Sequence, residues 1–204
     1  MDAKAHWETI YASRAPDTVS WYRPHLETSL ALIELAAMGN KSASIVDVGG
    51  GESTLVDDLL ARGYANVTIL DVSQIAIDVT KNRLGRAAER VGWITADITD
   101  AQRKLPACHV WHDRAVFHFL TKAEQRMAYV RNVAETVKPR GHVIVGTFGP
   151  EGPTMCSGLE VMRYDAESLH DQFGTHFRLV TSKELHRTPT GSIQQFLYCY
   201  CRVE

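Results

Sequence analysis

Gly49, Gly50 and Gly51 follow a short apolar run, residues 44–48, and precede a segment, residues 53–62, whose Leu55, Val56, Leu59 and Leu60 recur at helical spacing. A glycine-rich turn between a buried strand and a helix constrains the chain more than any other feature here. It lets the backbone turn sharply, and it lets a ligand approach the main chain where a side chain would otherwise stand. The free N–H groups of the helix that follows face the same space.

The rest of the chain repeats this strand–helix alternation. Helices are expected over residues 3–12, 24–38, 53–62, 73–84 and 121–137. The last should start at Thr121 as N-cap, with Glu124 completing a capping box. Strands are expected over residues 44–48, 67–71, 92–97, 108–113 and 142–148. Residues 177–185 and 193–202 read as a pair of strands around Pro189-Thr190-Gly191-Ser192. Alternating strands and helices imply a doubly wound, Rossmann-like α/β domain with helices on both faces. The sheet should be mostly parallel and seven-stranded, with a C-terminal antiparallel hairpin. A chain of 204 residues suits one such domain over 1–204.

Composition narrows the functional classes. The formal net charge is −2 and no basic block occurs, which argues against nucleic acid as a partner. No apolar run is long enough to span a bilayer, and residues 1–8 lack the apolar core of a signal peptide. Cys108, Cys156, Cys199 and Cys201 form no Cys-x-x-Cys pair, so reduced thiols in a cytoplasmic protein are expected. No His, Cys or carboxylate cluster has metal-ligand spacing.

The glycine loop is neither of the two common phosphate loops. Thr54 stands where the dinucleotide pattern needs its third glycine, and no Gly-Lys-Ser/Thr follows. Asp47, two residues before Gly49, would repel a pyrophosphate and suits a cofactor with a cationic amine.

The segment Asp47-Val48-Gly49-Gly50-Gly51-Glu52-Ser53 resembles the first motif of class I S-adenosylmethionine-dependent methyltransferases, with Ser53 in place of the last glycine. The resemblance implies S-adenosylmethionine as cofactor, held by Asp47, Gly49, Gly50 and Gly51. It implies that Asp71, ending the second strand, meets the ribose diol. It places Val72, Ser73, Asp97 and Ile98 around the adenosine. The chain is also distantly similar to lysine methyltransferases of citrate synthase and elongation factor.

The acceptor site is expected where the fourth strand ends. The Asn/Asp-Pro-Pro-Tyr/Phe segment of nucleobase and glutamine methyltransferases is absent there. His112, Asp113, Arg114 and His118 stand instead. His112 or His118 is the candidate general base, Asp113 the group that orients it, and Arg114 a holder of anions. Trp21 and Tyr22, within an N-terminal lid spanning 1–40, and Cys156 and Arg163, in a Gly/Pro-rich loop at 149–163, are candidate acceptor contacts. The leading expectation is methyl transfer to a small-molecule nitrogen, oxygen or sulfur. A protein lysine acceptor and a catalytically silent binding subunit are the alternatives.

Overall fold

The structure is a computed structural model that describes residues 2–100, 102, 104–174 and 177–204, with backbone alone over 177–183. Seven strands form one sheet: β1 (Ser44–Val48), β2 (Asn66–Asp71), β3 (Val91–Thr95), β4 (Cys108–Arg114), β5 (Val137–Phe148), β8 (Phe177–Arg187) and β9 (Ile193–Val203). Their order is β3-β2-β1-β4-β5-β9-β8. The first five are parallel, and β9 runs antiparallel to both β5 and β8. Two short strands, β6 (Met155–Cys156) and β7 (Leu159–Glu160), make a separate hairpin. That hairpin lies in the expected loop at 149–163.

Helices α1 (Ala3–Ser13), α2 (Glu27–Ala37), α3 (Leu55–Ala61), α4 (Gln74–Leu84), α5 (Ala123–Thr136) and α6 (Ala166–Asp171) complete the described elements, with 3₁₀ turns at 16–18, 85–90 and 117–119. None is long and apolar enough to cross a membrane.

Alternation along the central strands divides the core in two. Ile45 packs with Leu30, Ile33, Leu55 and Leu59 on the face covered by α2 and α3. Val46 and Val48 pack with Trp111, Tyr129 and Val133 on the face covered by α5. Each face buries one side of the central strands β1, β2, β4 and β5, which is why these strands read as continuous apolar runs.

Several expected boundaries move for local reasons. α2 begins at Glu27, so Pro24 lies before the helix and not in its first turn. α5 begins at Ala123 with Lys122, not Thr121, as N-cap, and Gln125, not Glu124, reaches back to the Lys122 N–H at 3.3 Å. Ser73 caps α4, its hydroxyl accepting from the Ala76 N–H at 3.2 Å. α6 had no counterpart in the sequence reading.

The order places β1 between β2 and β4, where chain progression along the sheet reverses. The crevice beyond the carboxyl ends of the strands at such a switch point is where open α/β sheets bind ligands.

Candidate active site

Two adjoining cavities open along that crevice. The larger spans about 1040 Å³, the open space at its mouth included, and runs from Asp97 past β2, β1 and β4 to Phe148 and Phe196 on β5 and β9. The smaller, about 520 Å³, lies over Asp47, Gly49, Gly50, Glu52 and His112. Tyr11, Trp21, Val48, Gly49 and Arg114 line both, so the two meet at the β1–β4 boundary.

The glycine loop forms one wall. Gly49 adopts φ +69°, and a Cβ there would collide with the Val116 side chain. A Cβ on Gly51 would stand 2.6 Å from an Asp71 oxygen and 2.5 Å from the Ala76 Cβ. The loop is therefore pressed against β2 and α4 and has no room for side chains. Asp71 holds it there: Oδ2 accepts from the Gly51 N–H at 3.0 Å, and Oδ1 from the Ser73 N–H at 2.8 Å. Thr80 donates to the Gly51 carbonyl from beneath.

Buried carboxylates surround the junction. Burial pushes the Asp71 carboxyl up to about 6, against the two backbone N–H bonds that favour its charge. Burial also raises Glu52 to about 7, with Arg83 opposing and Asp71 adding to the rise. Neither oxygen of Glu52, nor Oδ2 of Asp47, has a hydrogen-bond partner. Unpartnered buried carboxylate oxygens are costly unless something cationic meets them. Tyr11 reaches the same place from α1. Its hydroxyl is held protonated, first by burial and then by the nearby Asp71 and Glu52.

Asp47 and His112 are register partners on adjacent parallel strands, so their side chains share a face. His112 Nδ1 donates to Asp47 Oδ1 at 2.7 Å, and its Nε2 pairs with Ser29 Oγ of α2 at 2.9 Å. Ser29 in turn meets the Tyr198 hydroxyl at 3.3 Å. All four residues are fully enclosed. His112 thus fixes one oxygen of Asp47 and leaves the other bare. Both ring nitrogens are engaged, so His112 has no site for an acceptor proton.

The other proposed base machinery lies elsewhere. Asp113 lines neither cavity. Its oxygens accept from the Val116 and Phe117 N–H groups and from the Tyr129 hydroxyl at 2.7 Å. It therefore terminates β4 and orients no imidazole, and burial raises it to about 7. His118 is likewise inside the core, stacked on Phe148 at 4.4 Å. Its Nδ1 accepts from the Phe148 N–H, and burial lowers it to about 3. Strand alternation explains this placement. From β4 only alternate side chains face the crevice, and the turn after Ala115, at φ +74°, rotates His118 inward.

Arg114 does face the crevice. Its Nε donates to the Tyr198 hydroxyl at 3.1 Å, one terminal nitrogen to the Trp21 carbonyl at 3.2 Å, and the other to Glu184 at 3.4 Å. Arg23 shares the same Glu184 carboxylate at 3.3 Å. The Arg114 guanidinium stacks over Phe196 at 4.2 Å.

The remaining sequence candidates divide. Val72, Asp97, Ile98, Trp21 and Cys156 line the larger cavity, and Tyr22 the smaller. Asp97 sits in an exposed turn, accepting from Thr99. Gly51 acts through Asp71 and lines neither cavity. Arg163 lines neither as well, because its guanidinium ties the loop together through the Pro150 and Gly152 carbonyls. Sequence reasoning missed Trp7, Tyr11, Glu52, Phe119, Phe148, Phe196 and Glu184. Glu52 was legible, being a carboxylate directly after the glycines. The aromatic residues come from four separate segments and carry no common pattern. Among the described residues, no group of three or more His, Cys, Asp or Glu side chains could hold a metal.

Sheet order and the glycine loop between β1 and α3 give the chain the fold of the methyltransferases that it is similar to. Comparison with known proteins agrees: a methyltransferase domain model matches residues 45–141. The eEF1A lysine and N-terminal methyltransferase of Mus musculus is 25% identical over 97 residues, covering 48% of this chain and 14% of that protein. EEF1A lysine methyltransferase 2 of Homo sapiens is 22% identical over 144 residues, covering 68% of this chain and 55% of that protein. The chain spans about half or less of the length of these curated relatives. Among solved structures, the N-methyltransferase NodS from Bradyrhizobium japonicum WM9, in complex with S-adenosyl-L-homocysteine, is similar in fold, with TM-score 0.72, 15% identity and 99% of each chain covered. So is the 1,6-didemethyltoxoflavin-N1-methyltransferase of Burkholderia thailandensis, with TM-score 0.67, 17% identity, and 98% of this chain and 88% of that chain covered.

Proposed function

We propose that this chain transfers a methyl group from S-adenosylmethionine to a small-molecule acceptor. The observation that carries the reading is the pair of adjoining cavities, with bare buried carboxylate oxygens in one and an aromatic wall at the end of the other. Asp47 and Glu52 would meet the cofactor's ammonium end, Gly49 and Gly50 would lie along it, and Asp71 would take the ribose hydroxyls. Val72, Asp97 and Ile98 would flank the adenine. When bound, the cofactor supplies an activated methyl group on a sulfonium, so the chain's own work is alignment and exclusion of water.

α1 and the β6–β7 hairpin enclose the larger cavity through Trp7, Tyr11, Cys156 and Leu159. This enclosure favours a small acceptor over a polypeptide and gives residues 1–40 the role of a lid. A lysine side chain of a protein is the second reading, favoured by the names of the curated relatives. It requires α1 or the hairpin to move aside. Four buried free cysteines suit a reducing, cytoplasmic setting. Calorimetric titration with S-adenosylhomocysteine, followed by assay of its formation with a metabolite panel and with elongation-factor protein, tests the reading. Binding with turnover of a metabolite supports it. Binding with turnover of the protein alone gives the second reading, and binding without any turnover leaves a silent binding subunit.

A further inference from the structure

The far half of the larger cavity differs from the cofactor half in both charge and surface. Strands lie about 4.8 Å apart. Phe148 on β5 is three strands from Asp71 on β2, which separates the two halves by roughly 14 Å. The far wall is formed by Trp21, Phe119, Phe148, Phe196 and Leu159, with Arg114 and Cys156 as its polar members. Around Arg114 stand Arg23, Glu184, Tyr198 and His186. Arg114 and Arg23 share the Glu184 carboxylate, and Arg23 also meets the exposed Glu27 at 3.4 Å, so among the described residues Arg114 is the cation that lines this cavity. Three of the five N–H groups of an arginine are committed in Arg114, and two remain.

No group on this wall is fitted to take a proton. His112 is doubly bonded, and His118 and Asp113 face the core. Burial raises Cys156, so it stays a thiol, and Tyr11 also stays protonated. Asp71 and Asp97, the remaining titratable groups lining the cavity, stand at its cofactor end.

Resting on the methyltransferase reading, we propose that the acceptor is a small thiol with an apolar or aromatic body, which enters as its thiolate beside Arg114 and is methylated on sulfur. The body packs on the aromatic wall, where sulfur–aromatic contacts add to its burial. The acceptor sulfur forms a bond to the methyl carbon as the bond from that carbon to the sulfonium breaks, and the electron pair stays on the departing sulfur. One anion and one cation become two neutral thioethers, and no proton needs a destination. Such charge cancellation is favoured in an apolar, water-poor cavity. An amine acceptor would instead bring a positive charge beside Arg114, with no base on this wall to relieve it; the bare Glu52 lies in the adjoining cavity. Alcohols and phenols ionise too little near neutral pH to enter as anions without a base.

Two measurements test this. The first is spectroscopic: 4-nitrothiophenol is titrated with pH in the presence of protein loaded with S-adenosylhomocysteine. The thiolate absorbance should appear about one pH unit lower than in buffer, as expected beside a buried cation with N–H groups to spare, and Arg114→Gln should abolish the shift. The second follows S-adenosylhomocysteine formation from S-adenosylmethionine with aryl thiols, alkyl thiols, anilines and a lysine peptide. Thiols should turn over, with a pH inflection that moves with each thiol's own acidity. This wild-type measurement stands even if Arg114→Gln fails to fold. Turnover of amines or peptide without thiols, or an inflection fixed regardless of the thiol, overturns the proposal and leaves the methyltransferase reading intact. Failure to bind S-adenosylhomocysteine at all overturns both.

Discussion

Glu8 is the residue whose removal most directly tests how the cavity is closed. α1 has no fully buried residue, so apolar burial alone does not hold it in place. Its firmest attachment is the Glu8 carboxylate, which accepts from the Gln74 N–H at 2.9 Å, the Ile75 N–H at 3.2 Å and the Ser73 hydroxyl at 2.9 Å. Gln74 and Ile75 open α4, where backbone donors lack intrahelical partners and the helix dipole favours a negative charge. A hydrogen bond to a charged group contributes ~1.5–3 kcal/mol. Three bonds to one half-buried carboxylate do not add, and water would replace part of each. Glu8→Ala should therefore cost about 1.5–3 kcal/mol of the closed arrangement. That corresponds to roughly a 10- to 100-fold larger open population of α1. Hydrogen exchange followed by mass spectrometry should show faster exchange over residues 3–13, with the β-sheet unchanged. Affinity for S-adenosylhomocysteine should fall as Trp7 and Tyr11 leave the cavity. Exchange over 3–13 within threefold of wild type would refute the idea that Glu8 fastens the lid.

Three further outcomes are expected. Gly51→Val should abolish cofactor binding while the circular dichroism spectrum stays native, because its Cβ would meet Asp71 and Ala76; retained affinity would show that the loop gives way. Asp71 and Glu52 have carboxyl groups raised to about 6 and 7 by burial. Raised acids favour the protonated form, so the stability they contribute is full below about pH 4 and is lost as pH rises through 6 to 7. A cationic ligand reverses this preference. S-adenosylmethionine should therefore bind more tightly from pH 6 to 7.5 and release protons near pH 6.5, visible as calorimetric heats that depend on the buffer; heats independent of the buffer would contradict it. Lastly, His118→Phe should retain turnover within a few-fold, since the ring is buried and lines neither cavity. A loss of 10²-fold or more, the size expected for removal of a general base, would restore His118 as that base.

The sheet was legible because its signals are local. Residues 44–48, 67–71 and 108–113 are apolar runs closed by turn residues, and the glycine loop fixes which crevice the ligand enters. That Asp47, Gly49, Asp71 and Asp97 gather at one crevice was legible for the same reason, since each sits at or just after a strand end. The acceptor half was not. His112, Asp113 and His118 attracted attention as polar residues in an apolar stretch. Whether such residues face a cavity or a neighbouring strand depends on register and on partners such as Ser29 and Tyr129, which lie 83 and 16 positions away in sequence from the groups they hold. The aromatic wall is assembled from the N-terminal segment, the turn after β4, β5 and β9, and no single window of sequence contains it. Glu184 joins Arg114 from 70 positions away.

The central claim is that the crevice at the end of β1 and β2 holds S-adenosylmethionine, with Asp71 as a direct ligand. Isothermal titration of S-adenosylhomocysteine into wild type and Asp71→Ala tests it most directly. The account predicts saturable one-to-one binding to wild type and a loss of roughly 10- to 100-fold in the variant, the cost of charge-assisted hydrogen bonds. Absence of binding to wild type, or equal affinity in a folded Asp71→Ala protein, would contradict it.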